Sequence, residues 1–225
     1  MLFVINVLNA PTRVNGSNAA RQVADADICK SGRLHQLRKS LLIREIANAL
    51  DEIAIGLSSS GSEGAEAIRQ LLLSGSADRW TIRAEALLFA AACADHVART
   101  ILPAVEAGKW VICDRFLDSS RAYQGVGGVL CDADILALHG VGSQGLLPDR
   151  TLLLHMPLDE SSARAGLRDG GEADRIGDRD NAFHRAVAQA FERFADAEPA
   201  RFRRIDARGT IEAVQARLLD ALADL

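Results

Sequence analysis

The residues Cys113-Asp114-Arg115-Phe116 close the apolar run Trp110-Val111-Ile112-Cys113 and set a carboxylate beside a guanidinium. Such a run reads as a buried strand, and in parallel α/β sheets ligands collect at the carboxyl ends of strands. At that place a carboxylate can hold metal-bound water, and a guanidinium fork can grip a phosphate. An Asp-Arg pair taken alone would serve equally well as a local ion pair closing a strand end. The segment behind it shifts the balance, because Asp118-Ser119-Ser120-Arg121-Ala122-Tyr123-Gln124-Gly125 adds hydroxyls, a guanidinium and an aromatic ring. In a helix Ser120 and Tyr123 stand three apart and share a face. That face suits a base and a sugar, read by stacking and hydrogen bonds.

Elements that could position these residues are legible along most of the chain. Three apolar runs, Trp110 to Cys113, Thr151 to Met156 and Phe202 to Ile205, have the continuous character of strands covered on both faces. Helical periodicity marks Glu63–Leu73, Arg83–Glu106, Asp132–His139, Asp159–Leu167, Asn181–Ala197 and Thr210–Leu222. Alternation of this kind predicts an α/β domain with a parallel sheet. Asp169–Asp180 is rich in Gly and Asp and reads as a loop between two helices, with Asp180 as an N-cap. The apolar start, Met1 to Leu8, reads as a strand, and Leu41–Ile55 as an amphipathic helix. Residues 9–34 show no periodicity that assigns them.

Composition excludes several classes. With 48% hydrophobic and 25% charged residues among 225, the chain has material for a full core, built mostly from aliphatics because aromatics make up 4%. A formal charge of -4 gives no general attraction to nucleic acid or to an anionic membrane. Cys29, Cys93, Cys113 and Cys131 form no C-x-x-C pair, so no zinc ribbon or redox motif is indicated. Scattered thiols without a secretory signal predict a cytoplasmic setting. His96 and His155 read as packed structural histidines.

The block from Asp114 to Gly125 resembles the signature of the thymidylate kinase family, an Asp-Arg-aromatic strand end followed by a Ser-rich turn and Ala-Tyr-Gln-Gly. The resemblance extends over 61–225 in order. It takes in Gly61-Ser62-Glu63-Gly64-Ala65-Glu66-Ala67-Ile68-Arg69, Ala84-Glu85-Ala86-Leu87-Leu88-Phe89-Ala90-Ala91, Leu147 to Leu154, Asp174-Arg175-Ile176 and Ile205-Asp206-Ala207. It implies one α/β domain over 1–225 of the P-loop nucleoside monophosphate kinase type, a parallel sheet flanked by helices, with a lid at about 168–180. It also implies transfer of phosphate from ATP to dTMP with Mg2+, in a cytoplasmic homodimer. Arg115 would then hold the dTMP phosphate, with Asp114 beside the metal and the transferring group. Phe89 would stack on thymine, Tyr123 would lie against the deoxyribose, Ser120 would stand near the base, and Gln124 would belong to the substrate-binding set. Arg168 and Arg175 would approach the transferring phosphate from the lid.

Residues 1–60 depart from that pattern. The family's phosphate loop, G-x-x-x-x-G-K-[ST], surrounds phosphates with backbone N–H groups and supplies a Lys to them and a hydroxyl to the metal. Its nearest remnant is Arg38-Lys39-Ser40, in which Lys39 and Ser40 stand at the expected places while Arg33 and Arg38 replace both glycines. Leu57-Ser58-Ser59-Ser60 stands where the family has Arg-Glu-Pro-Gly, and Cys93 occupies the place of an arginine that reads thymine. These departures predict weak or absent turnover. They leave as alternatives a non-catalytic, nucleotide-binding or dimerising homologue, or a deoxynucleoside monophosphate kinase with an altered choice of base, and a changed reading frame or gene start or a diverged paralogue as the origin of 1–60.

Overall fold

The computed structural model describes residues 2–9, 42, 43, 46, 53–56, 62–76, 78–126, 129–155 and 179–225. Five strands, β1 (Leu2–Leu8), β2 (Ile53–Gly56), β3 (Val111–Asp114), β4 (Arg150–His155) and β5 (Phe202–Asp206), form one sheet in the order β2-β3-β1-β4-β5. Helices α1 (Glu63–Leu73), α2 (Ile82–His96), α3 (Leu102–Glu106), α4 (Leu117–Gly125), α5 (Asp132–Gly142), α6 (Asn181–Ala197) and α7 (Ile211–Asp220) surround it. The expected helices at Asp159–Leu167 and the lid at about 168–180 fall outside the described residues, except for Arg179 and Asp180.

The sheet is mixed, which corrects the expectation of a parallel one. β2 runs parallel to β3, and β4 to β5, while the central β1 runs antiparallel to both of its neighbours. Its register sets Leu2 beside His155 and Leu8 beside Val111. The chain therefore enters β1 at the end where β3 and β4 finish. A strand buried on both faces carries no directional signal of its own, because side chains alternate identically either way. Direction is left to the connections, and the long link from β1 to β2 imposes none. A second correction concerns Leu41–Ile55. Leu42, Ile43 and Ile46 are helical, but Ile53–Gly56 pairs with β3 as a strand. The β-branched Ile53 and Ile55 suit that ladder, and local periodicity could not detect it.

Alternation along the strands divides the core. Ile5, Val7, Ile112, Leu152 and Leu154 pack with Leu42, Ile43 and Ile46 and with Val214 and Leu218 of α7. On the other face, Leu8, Val111 and Cys113 meet α2 and α5, and Val4 and Leu153 meet Val187, Ala190 and Phe191 of α6. Ser62, Thr81, Asp180 and Thr210 cap α1, α2, α6 and α7 by accepting from backbone N–H groups three residues on. A π turn, Val97–Ile101, joins α2 to α3 just ahead of Pro103, which has no N–H to return to Arg99. The whole stretch Ile82–Glu106 is long and apolar enough to cross a bilayer by composition, yet its Ala86, Cys93, Val97 and Ile101 lie in the core.

A buried ionic knot ties the second face together. Asp118 is wholly buried and accepts from Arg201 at 2.7 and 2.8 Å, from Arg121 at 3.1 Å and from the Thr151 hydroxyl at 2.8 Å. Arg121 also grips both oxygens of Asp132, at 2.7 and 2.8 Å, reaches Glu198 at 2.7 Å and lies over the Phe194 ring at 4.1 Å. Asn6 in β1 joins them, its amide donating toward Thr151 and Asp118 and accepting from the Phe116 N–H. Burial would raise the Asp118 carboxyl, but the hydrogen bonds and charge of Arg201, with Thr151 and Arg121, hold it below the usual carboxylate range. The sequence reading placed the Arg121 guanidinium among groups reading a ligand. The structure commits it to this knot instead.

Two predictions arise from this packing. Asp118→Ala leaves two buried guanidinium groups without their shared partner, and is expected to cost about 3–5 kcal/mol in urea unfolding. A loss below about 1 kcal/mol would show that the knot is neutral. The second concerns His139, which is buried edge-on to Phe116 and whose ring nitrogens have no hydrogen-bond partner among the described residues. Burial pulls it from 6.5 down to about 4 against the opposing charge of Asp118. The unfolded chain thus takes up a proton across that window while the folded chain does not, so stability falls as pH drops from 6.5 to about 4. The expected loss is about 3 kcal/mol, and His139→Leu should flatten that part of the pH profile.

Candidate active site at the carboxyl end of β3

Gly56, Asp114, His155 and Asp206 end the four co-directional strands at one edge of the sheet. Asp114 is nearly buried there, and the next residue makes an abrupt turn. Arg115 has φ 70°, a left-handed conformation that a non-glycine residue adopts at a cost of about 1–2 kcal/mol. The turn exposes Arg115 while burying Phe116 between α5 and the sheet. It also begins α4 at Leu117, whose first turn closes through Ser119 N–H donating to the Phe116 carbonyl at 3.0 Å.

Along α4, Ser120 is buried, Tyr123 is partly exposed and Gln124 is buried. The Arg115 guanidinium lies over the Tyr123 ring at 4.8 Å, so the strand end and the helix meet as a cation–π stack. Phe89, on α2, is partly buried, and α2 packs on α4. Cys93 lies one turn further along α2, in the core cluster with Cys113. Burial pushes its thiol up to about 12, so it remains a small neutral group. Lys39, Ser40, Arg168 and Arg175 lie outside the described residues.

Three residues of this region were missed by the sequence reading. Glu85, on α2, is buried and accepts from the Gln124 amide at 2.9 Å and from Arg179 at 2.8 Å. Arg179 covers the Phe183 ring at 4.5 Å, and Phe183 meets the Tyr123 ring edge at 5.9 Å. Arg179 lies in the Gly- and Asp-rich segment Asp169–Asp180, which reads from sequence as a loop. The available signal was Glu85 itself, a carboxylate amid the apolar run Ala84 to Ala92, four residues before Phe89.

This edge presents a guanidinium, a carboxylate and an aromatic ring at strand ends, which is chemistry for a phosphorylated, ring-bearing ligand. Among the described residues no three His, Cys, Asp or Glu side chains converge as a metal cage. A hard divalent ion held by one carboxylate together with substrate phosphates needs no such cage.

Comparison with known proteins agrees with that chemistry. The model of the thymidylate kinase family matches residues 39–218, beginning at Lys39 rather than at Gly61. A thymidylate kinase of Rhizorhabdus wittichii is 61% identical over 165 residues, covering 73% of this chain and 79% of that protein. Those of a Bradyrhizobium species and of Nitrobacter winogradskyi are each 41% identical, over 191 and 195 residues, covering 83% and 86% of this chain and 84% of each relative. The chain belongs to the thymidylate kinase family. Its members are nucleotide-binding phosphotransferases of nucleotide biosynthesis, which move the γ-phosphate of ATP to dTMP and use a divalent metal.

The backward turn at Arg115 yields a prediction. Arg115→Gly should be about 1 kcal/mol more stable than Arg115→Ala, because glycine adopts φ 70° freely. Equal melting temperatures for the two variants would show that the turn stores no strain.

Proposed function

We propose that the carboxyl end of β3 is the acceptor site of this chain, binding dTMP for conversion to dTDP. The observation that carries this reading is the exposed Arg115 guanidinium, aimed out of the sheet by its left-handed backbone and steadied on Tyr123. In this reading Arg115 holds the dTMP phosphate, Phe89 stacks on thymine, Tyr123 excludes a 2′-hydroxyl, Ser120 stands near the base, and Gln124, its amide given to Glu85, supports the substrate site from behind. Cys93 leaves the base without the arginine the family uses, which widens the choice of pyrimidine. Asp114 fits Mg2+ as a single carboxylate at the strand end, with the Ser40 hydroxyl as its second protein partner. The ion, when bound, neutralises charge between the outer phosphates. Lys39 serves the ATP phosphates, and Arg168 and Arg175 serve the transferring group. Such a reaction asks the protein mainly for position and charge.

The chain is taken as one cytoplasmic domain over 1–225 that forms a homodimer and binds neither nucleic acid nor membrane. The exposed Leu71, Leu87, Leu136 and Val141, on α1, α2 and α5, of which α2 packs against the other two, support an apolar face for a second copy.

A second reading has its own observation. β1 finishes beside Val111 and Arg150, away from Asp114, so a loop leaving it directly would emerge at the wrong edge for the acceptor. That favours a homologue that binds dTMP without turnover. The two readings separate in one experiment, measuring dTDP formation from dTMP, Mg2+ and ATP against a control without ATP, alongside dTMP calorimetry. Turnover of about 1–100 s⁻¹ supports the kinase reading. Bound dTMP without turnover supports the second, and absence of dTMP binding overturns both. Arg115→Ala should weaken dTMP at least about tenfold, the scale of a lost charge-assisted hydrogen bond. Unchanged affinity would remove Arg115 from the phosphate site.

A further inference from the structure

Glu85 is a buried carboxylate, and two of its partners come from different elements. Its Oε1 accepts from Gln124 of α4 at 2.9 Å, and its Oε2 accepts from Arg179, just ahead of α6, at 2.8 Å. Its side chain is 1% exposed and that of Arg179 is 19% exposed, so this ion pair is held where water screens it poorly. From Arg179 the contacts return to the site through rings. The guanidinium lies 4.5 Å from the Phe183 centroid, the Phe183 ring meets Tyr123 at 5.9 Å and 63°, and Tyr123 carries Arg115 at 4.8 Å. Tyr123 is also the neighbour of Gln124 on α4. The ring is thus held from both sides by one carboxylate, through the backbone at Gln124 and through Phe183 on its edge.

We propose that Glu85 and Arg179 are a positioning pair that fixes the Tyr123 ring, and through it Arg115, for the nucleotide sugar and phosphate. The role in binding rests on the acceptor-site reading above. The role in ring position does not. Neither residue acts as an acid or base. Glu85 supplies the fixed point, Arg179 brings the start of α6 to it, and Phe183 passes that position to Tyr123. Three of the five links place a charge against a dipole or a π face, which fixes direction as well as distance. If the pair is lost, Phe183 has no cover on the Arg179 side and Gln124 no acceptor, so the Tyr123 ring gains freedom in its stack with Arg115.

The chain contains a single tyrosine, so fluorotyrosine incorporation places one ¹⁹F resonance at Tyr123. The test compares that resonance, thermal stability, and affinity for dTMP and for its 2′-hydroxy counterpart in full-length wild type, Glu85→Gln, Arg179→Ala, Arg179→Lys and Phe183→Leu. Glu85→Gln, Arg179→Ala and Phe183→Leu are expected to shift and broaden the resonance. They should weaken dTMP about tenfold and reduce its preference over the ribonucleotide. Arg179→Lys, which keeps the charge on Glu85 but loses the planar stack on Phe183, should fall between wild type and Arg179→Ala in affinity and in line width. The double variant Glu85→Gln with Arg179→Ala should bind no worse than either single one, as expected for one shared interaction. An unchanged resonance in Glu85→Gln and Arg179→Ala, or lowered stability with dTMP affinity and sugar preference intact, overturns the proposal and leaves a purely structural pair. Absence of dTMP binding in the wild type overturns the acceptor-site reading alone, because the resonance still reports the ring.

Discussion

Asp118 lies entirely out of solvent, and a lone charge there would cost several kcal/mol in desolvation. It is tolerable only because Arg201, Arg121 and Thr151 reach it from different parts of the fold. That requirement acts as a geometric constraint. α4 must start where its second residue meets the beginning of β4, the turn before β5 must return Arg201 to the same point, and α5 and α6 must close over Arg121 with Asp132 and Glu198. The Arg115 turn, which opens α4, sits three residues from this anchor. A strand end built on a left-handed residue needs support of that kind, because such strain persists only where the surrounding structure over-determines it.

The same helix therefore does two jobs on two faces. Asp118 and Arg121, three apart, look into the protein and fasten α4. Ser120, Tyr123 and Gln124 follow at offsets that bring them toward α2, α6 and the strand end. An i,i+3 pairing on each face is what one short helix can offer. It also explains why serine, tyrosine, arginine and aspartate crowd a segment with little room for ordinary core residues.

Much of this was legible from residue types. β3, β4 and β5 could be placed because strands covered on both faces read as apolar runs, and α1 and α6 because their periodicity and caps agree. The Asp114–Gly125 block was legible as a site because its residue types are costly to assemble for packing alone. The Arg121 network was not, since a guanidinium bound to Asp132 and Glu198 depends on partners 11 and 77 residues away. Glu85 was illegible for the same reason, as its meaning lies in Arg179, 94 residues on. The direction of β1 could not be read because Val4, Ile5, Val7 and Leu8 satisfy both faces of the sheet in either orientation.

That reversed strand has a consequence for how the two halves of a phosphoryl transfer could coexist in this chain. The edge proposed as the acceptor site is organised by β3, α4, α2 and the start of α6, and by the Asp118 knot. β1 contributes only ladder hydrogen bonds, core side chains and Asn6 to that edge. A sheet accepts a central strand of either direction provided its N–H and C=O groups are paired and both faces are covered. The acceptor side can therefore keep its shape whichever way β1 runs. A phosphate loop is different in kind, because it needs the end of a strand, a run of backbone N–H groups and the start of a helix at one place. Turning the strand moves its end to Leu8 and Asn9, where Asn9 bonds to Asp149 and to the Leu225 carbonyl instead. In the proposed reading the binding of dTMP and the binding of ATP thus rest on separable parts of the fold, and only the second depends on the direction in which β1 enters the sheet.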